Sequence, residues 1–157
     1  MDMLNAIDHV NIVVHDLPGM IDFYCRVLGL RESKRVTISG AWIDQTVGLR
    51  GVEADCVYLD MPSGPRIELL KYVKPGAERP GELGTSNTPG LRHLAFRVDD
   101  IDAAVGRLRE AKVNFFSGVQ EVPESQVTYA GGVRKRLVYF HDPEGNLLEL
   151  CEYKVPT

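Results

Sequence analysis

His9 and Glu68 in the first half of the chain are matched by His93 and Glu149 in the second, and these four side chains could do metal chemistry. Imidazole nitrogens and carboxylate oxygens suit a divalent first-row ion. Two neutral imidazoles with two carboxylates also balance its charge, so such a site buries no unpaired charge. The match extends well beyond the donors. Cys56–Tyr72 (CVYLDMPSGPRIELLKY) lies over Leu137–Tyr153 (LVYFHDPEGNLLELCEY) without a gap, pairing Tyr58 with Tyr139, Gly64 with Gly145, Glu68 with Glu149 and Tyr72 with Tyr153. His9–Leu17 lies over His93–Ile101 in the same way. The histidines stand 84 residues apart (9 to 93) and the glutamates 81 (68 to 149), so each half carries its pair at nearly one internal spacing. Such self-similarity indicates a duplicated module whose copies share a site.

The elements that must hold these residues follow from periodicity. Alternating apolar residues predict a strand over Leu4–Val14, and Asp16-Leu17-Pro18 starts a helix with Met20, Phe23, Tyr24, Val27 and Leu28 on one face, closed by Gly29. Strands follow over Arg31–Ile38, Asp55–Met61 and Arg66–Val73, the last two joined by Pro62-Ser63-Gly64-Pro65. The second half repeats this plan: a strand at Leu91–Val98, a helix at Asp100–Ala111, a short strand at Val113–Ser117, and a hairpin of Val133–Phe140 and Asn146–Tyr153 around Asp142–Gly145. Residues 1–73 therefore form a first βαβββ module, the Pro- and Gly-rich residues 74–90 a linker, and residues 91–157 a second module. Gly40–Gly51 and Val119–Gly132 have no clean counterpart and are expected to be loops over the site, with Gly131-Gly132 as a hinge.

Side chains alternate across a strand, which turns Glu68 away from Ile67 and Leu69, Glu149 away from Leu148 and Leu150, His9 away from Val10 and His93 away from Leu94. Arg97, four residues after His93, shares the metal face and can anchor a substrate carboxylate or phosphate; Asn11, two after His9, can orient a substrate oxygen. With 142–145 as the hairpin loop, Val138 falls opposite Glu149 and Arg136 on the same face, a third candidate for substrate binding, with Arg134 at the rim. The run Arg134-Lys135-Arg136 otherwise reads as a solvated edge, with contact to an anionic substrate or a coenzyme A tail as the alternative. Trp42 reads as a packing residue before an aromatic wall beside the site, and His15 and His141 as peripheral.

Composition narrows the class. A chain of 157 residues with 44% hydrophobic and 25% charged residues is ordinary for a soluble globular protein. The net charge of −4 argues against a nucleic-acid partner. No apolar run approaches the ~20 residues of a bilayer span, and the start MDMLNAIDHV lacks a signal-peptide pattern. Three scattered cysteines (Cys25, Cys56, Cys151) read as reduced packing residues, so a cytoplasmic location is expected.

The chain resembles the vicinal oxygen chelate superfamily, which includes glyoxalase I, methylmalonyl-CoA epimerase, extradiol dioxygenases, fosfomycin-resistance enzymes and bleomycin-binding proteins. The resemblance spans nearly the whole chain. It is carried by His9 with Val14–Leu17, by Phe23-Tyr24-x-x-x-Leu28-Gly29-Leu30, by Ile67-Glu68-Leu69, by Pro89–Phe96 and by Asp142–Asn146 with Glu149-Leu150. It implies an α+β fold of two tandem βαβββ modules curled into a half-open β-barrel cup, with one divalent ion (Zn, Ni, Co, Mn or Fe) on His9, Glu68, His93 and Glu149. It also implies a small-molecule substrate and a homodimer. The His/Glu/His/Glu set is similar to bacterial-type glyoxalase I, whereas the epimerases commonly carry Gln at the position of Glu68. Four ligands on an octahedral ion leave two sites for a substrate chelating through vicinal oxygens, whereas an oxygenase triad leaves three. The expected chemistry is therefore that of an isomerase or lyase: Glu149 or Glu68 abstracts a proton next to a carbonyl, and the ion stabilises the enediolate or enolate as a Lewis acid. A ring-cleaving dioxygenase and a non-catalytic drug- or toxin-binding protein are the rival readings.

Overall fold

Asp16 begins the first helix as its sequence suggests, its carboxylate accepting the Gly19 backbone N–H while Pro18 fills the first turn, where no hydrogen bond is lost. In this computed structural model, which describes residues 4–155, that helix (α1, Leu17–Asp22) runs on into a π-helical turn over Phe23–Val27. Together they bury Leu17, Met20, Phe23, Tyr24 and Val27. Gly29, at φ +86°, turns the chain out of the helix through a conformation that a side chain would strain.

The chain divides into two compact units, Met1–Glu78 and Arg79–Thr157. The first contains β1 (His9–Val13), α1, β2 (Arg31–Ser39), a second helix α2 (Ala41–Val47), β3 (Glu53–Asp60) and β4 (Arg66–Lys74). Its sheet has the order β1-β4-β3-β2, with β1 parallel to β4 and the remaining pairs antiparallel. The second contains β5 (His93–Arg97), α3 (Ile101–Glu110), the two-residue β6 (Gln120–Glu121), β7 (Arg134–His141) and β8 (Leu147–Lys154). Its order, β5-β8-β7-β6, repeats the first with the same pair parallel, giving an α+β fold of two like sheets. Asp100 caps α3 by accepting the Ala103 N–H, and α3 buries Ile101, Val105 and Leu108. In both units the apolar neighbours of the glutamate are buried, Ile67 and Leu69 in one, Leu148 and Leu150 in the other.

The structure corrects several expectations. The first strand starts at His9 rather than Leu4, because its partner β4 starts at Arg66, the register partner of His9. Gly40–Gly51 is not an open loop: α2 occupies most of it, and Ile43 packs with Val52, Ala54, Cys56 and Leu70 on the sheet face away from α1. Val113–Ser117 forms only an isolated bridge, Phe115 to Phe140, and the edge of the second sheet is β6. The rear of the 74–90 stretch is held rather than free. Gly81–Gly84 is a 3₁₀ turn whose carbonyls receive Arg92 Nη1 (at Leu83) and His141 Nε2 (at Gly84, 2.8 Å), while Arg79 Nη1 reaches Asn146 Oδ1.

The hairpin between β7 and β8 is one residue longer than expected. Asp142 takes the backbone N–H groups of Glu144 and Asn146 on its carboxylate, and Gly145 sits at φ +78°, so the loop spans five residues, 142–146. The register therefore sets Tyr139, not Val138, opposite Glu149. A one-residue shift moves every side chain of the strand to the other face. Among the described residues no helix is long and apolar enough to cross a membrane.

Candidate active site

In the first unit the register places Asn11 and Tyr58 on either side of Glu68, from β1 and β3. Asn11 Nδ2 donates to Glu68 Oε1 at 2.7 Å, and His9 Nε2 lies 4.0 Å from the same oxygen. Burial pushes the Glu68 carboxyl up, but hydrogen bonds from Tyr58, Asn11 and Cys56 outweigh it and hold the group below its ordinary value. The same contact raises the Tyr58 phenol well above its usual range, and burial with Glu68 pushes the Cys56 thiol up to about 11. Glu68 is therefore a fixed, ionised oxygen donor. The other nitrogen of His9, Nδ1, lies 2.8 Å from Asp8 Oδ2. Assigning the proton to Nδ1 leaves Nε2 as a free lone pair facing Glu68, the arrangement in which a carboxylate orients a metal-binding imidazole.

A cavity of about 460 Å³ opens over this pair. His9, Asn11 and Glu68 contribute its polar wall, and Val36, Ile38 and Trp42 part of its apolar one. Of the two readings of Trp42, the structure gives the aromatic wall rather than the packing residue: it is 59% exposed on α2 because Ile43 takes the inward position of that helix. Thus α2 is a side wall beside the candidate donors.

In the second unit His93 Nε2 lies 3.1 Å from Glu149 Oε2, and the His93 ring sits 5.0 Å from that of Tyr139. Glu149 is 2% exposed. Where Glu68 has Asn11 as its neighbour on the first strand, Glu149 has Ala95, which has no polar group to offer. Lys135 Nζ approaches Glu149 Oε1 to 2.9 Å but outside hydrogen-bonding geometry, so this buried oxygen has no hydrogen bond. Burial of Tyr139, reinforced by the Glu149 charge, raises its phenol. Arg97 lies on the same face, its guanidinium 5.5 Å from the centre of the Tyr153 ring.

Arg136 is not on that face. Because of the longer hairpin it points to the helix side, donating to both oxygens of Asp102 on α3 and to Glu152 Oε2 at 3.2 Å. The ion pairs account for this residue without a substrate, and Lys135 holds the position beside Glu149 that the sequence reading gave to Arg136. The pairing of Tyr58 with Tyr139 in the internal repeat was the available signal for the two aromatic neighbours of the glutamates. His141 is tied to Gly84 and stacks edge-on against Phe116 at 4.7 Å, a structural role; His15 is exposed before α1.

Among the described residues no group of three or more His, Cys, Asp or Glu side chains is gathered for a metal ion; the donors form one pair in each unit. Each pair nonetheless suits such an ion, with an imidazole nitrogen beside a carboxylate and, at Glu149, a buried oxygen with an unused lone pair.

The family description "Glyoxalase/Bleomycin resistance protein/Dioxygenase superfamily" matches residues 6–150. The chain belongs to this superfamily. It is 33% identical over 149 residues to the uncharacterised YaeR protein of Escherichia coli, covering 95% of this chain and 97% of that one. It is 28% identical over 149 residues to the mitochondrial methylmalonyl-CoA epimerase of Homo sapiens, covering 94% and 73%. A crystal structure of a glyoxalase family protein from Bacillus cereus superposes with a TM-score of 0.75 at 30% identity, covering 97% of this chain and 96% of that one. The superfamily membership and the α+β fold expected from the motifs are thereby established.

Proposed function

We propose that the protein is a divalent-metal-dependent isomerase or lyase that moves a proton at a carbon next to a carbonyl of a small oxygenated metabolite. The observation that carries this reading is Glu149: a buried carboxylate with one oxygen beside His93 and the other without a hydrogen bond. His9, Glu68, His93 and Glu149 would hold the ion, which when bound supplies Lewis-acid polarisation of the carbonyl. Its relatives include a methylmalonyl-CoA epimerase and a 2-epi-5-epi-valiolone epimerase, the latter 28% identical over 149 residues. Both names describe inversion at a carbon centre.

The two glutamates divide the work. Glu68 is immobilised and kept ionised by Asn11, Tyr58 and Cys56, which suits a permanent ligand and makes it a poor proton acceptor. Oε1 of Glu149 accepts no hydrogen bond and meets only the Lys135 ammonium, 2.9 Å away; it takes the proton from the substrate carbon, with Oε2 held at His93. His9, oriented through Asp8, offers Nε2 as a donor. The apolar part of the substrate packs against Trp42 and β2 residues Val36 and Ile38.

Protein purified without added metal should contain about one ion per chain, and the loaded protein should exchange the α-hydrogen of its substrate for solvent deuterium, followed by NMR across α-keto hemithioacetals and branched acyl-CoA thioesters. Absence of bound metal, or of exchange with every member of both series, would reject the reading. Trp42 is the sole tryptophan of the chain, so substrate binding should shift its fluorescence. Trp42→Ala should raise KM by about 10-fold or more with little change in kcat, as expected when an apolar contact is lost from ground and transition state alike.

A further inference from the structure

We infer that the substrate carries an oxyanion, a carboxylate or a phosphate, close to its reacting carbon, and that Lys135 with Arg97 receives it. The inference rests on the metal reading above, because it concerns what becomes of Lys135 once a cation occupies Glu149. Three neighbouring strands place the residues on one face: the Cα partners Tyr139 and Glu149, then Cys151 beside Arg97, then Lys135 opposite Tyr153. The side chain of Lys135 is only 18% exposed, and among the described residues Glu149 is the carboxylate paired with it. The charges of that pair cancel. A divalent ion on Glu149 takes over the carboxylate and brings a like charge up to the ammonium, leaving Lys135 half-buried and without a counter-ion, a state that folded proteins avoid.

A second cation is already waiting there. The guanidinium of Arg97 and the ammonium of Lys135 lie 5.5 and 5.8 Å from the centre of the same Tyr153 ring, and among the described residues Arg97 forms no ion pair with a carboxylate. Tyr129 buttresses the ring edge-on at 5.6 Å. The loaded site thus presents two positive groups flanking one aromatic plate beside the reacting atoms, and an incoming oxyanion restores neutrality. Arg97 can bind it through two parallel N–H donors and Lys135 as a point charge. Binding of metal and of anion is therefore coupled, each strengthening the other.

The test is calorimetric titration of the full chain with Ni²⁺, alone and with millimolar acetate or inorganic phosphate, after correction for the anions' own affinity for nickel. In the unaltered protein one of the anions should tighten nickel binding by about 10-fold, within the usual range of such couplings. A larger gain with acetate identifies a carboxylate, and a larger gain with phosphate a phosphate. Lys135→Met should bind nickel at least as tightly as the unaltered protein without anion and lose the gain; Lys135→Arg, which keeps the charge should the first variant fold poorly, should retain it. Equal nickel affinity with and without both anions in the unaltered protein would overturn the inference while leaving the metal reading intact, as would an undiminished gain in Lys135→Met. Failure of nickel to bind under any condition would overturn both.

Discussion

Glu149→Gln is expected to slow α-proton exchange by about 10²–10⁴-fold, the usual contribution of a positioned general base, while nickel still binds. The amide keeps an oxygen for the ion but cannot accept the proton. Glu68→Gln is the informative contrast. Its carboxylate is already committed to Asn11 and Tyr58, so the amide should preserve bound metal and part of the exchange activity. Inductively coupled plasma analysis of both variants, with NMR exchange rates on the same samples, separates ligand from base. Should Glu68→Gln abolish exchange with metal retained while Glu149→Gln remains active, the roles are reversed.

The second large effect is on stability. Arg136→Met should lower the unfolding free energy by about 3 kcal/mol, the low end of the range for stripping one partner from a buried ion pair, because Lys154 Nζ remains 3.6 Å from Glu152. Glu152 is 1% exposed, accepts the Ile101 N–H at the start of α3, and would be left with a poorly compensated charge. At this chain length each kcal/mol lowers Tm by about 2–4 °C, so scanning calorimetry should record a fall of roughly 6–12 °C. The double variant Arg136→Met/Glu152→Met should recover most of it, since removing both charges also removes the desolvation cost. A KM that rises in Arg136→Met with Tm unchanged would return the residue to the substrate.

The sequence made the repeat, the strand–helix–strand plan and the His–Glu pair within each half legible because each leaves a periodic or duplicated trace. Met20 and Tyr24 fall on the buried face of the first helix, and Ile101, Val105 and Leu108 on that of α3, as their spacing requires. What escaped were features set by a single residue or by tertiary partners. The hairpin around Asp142 has one more loop residue than its turn signal suggests, a length shared by the loop 61–65 of the first unit and recorded by no apolar pattern, and that one residue exchanged Arg136 for Lys135 beside Glu149. The helix α2 has only seven residues between Gly40 and Gly48, too short for its Trp42, Ile43 and Val47 to reveal a period. The different surroundings of the two glutamates were visible only as Asn11 against Ala95, and gained meaning once the register was known.

The clasp of the 3₁₀ turn at Gly81–Gly84 onto His141 bears on how the gene could be cut. A fragment designed from the motif alone would begin at Leu91 and would sever Gly84 from His141 and Arg79 from Asn146. The second compact unit begins at Arg79, and residues 79–84 act as the opening brace of that half rather than as spare tether.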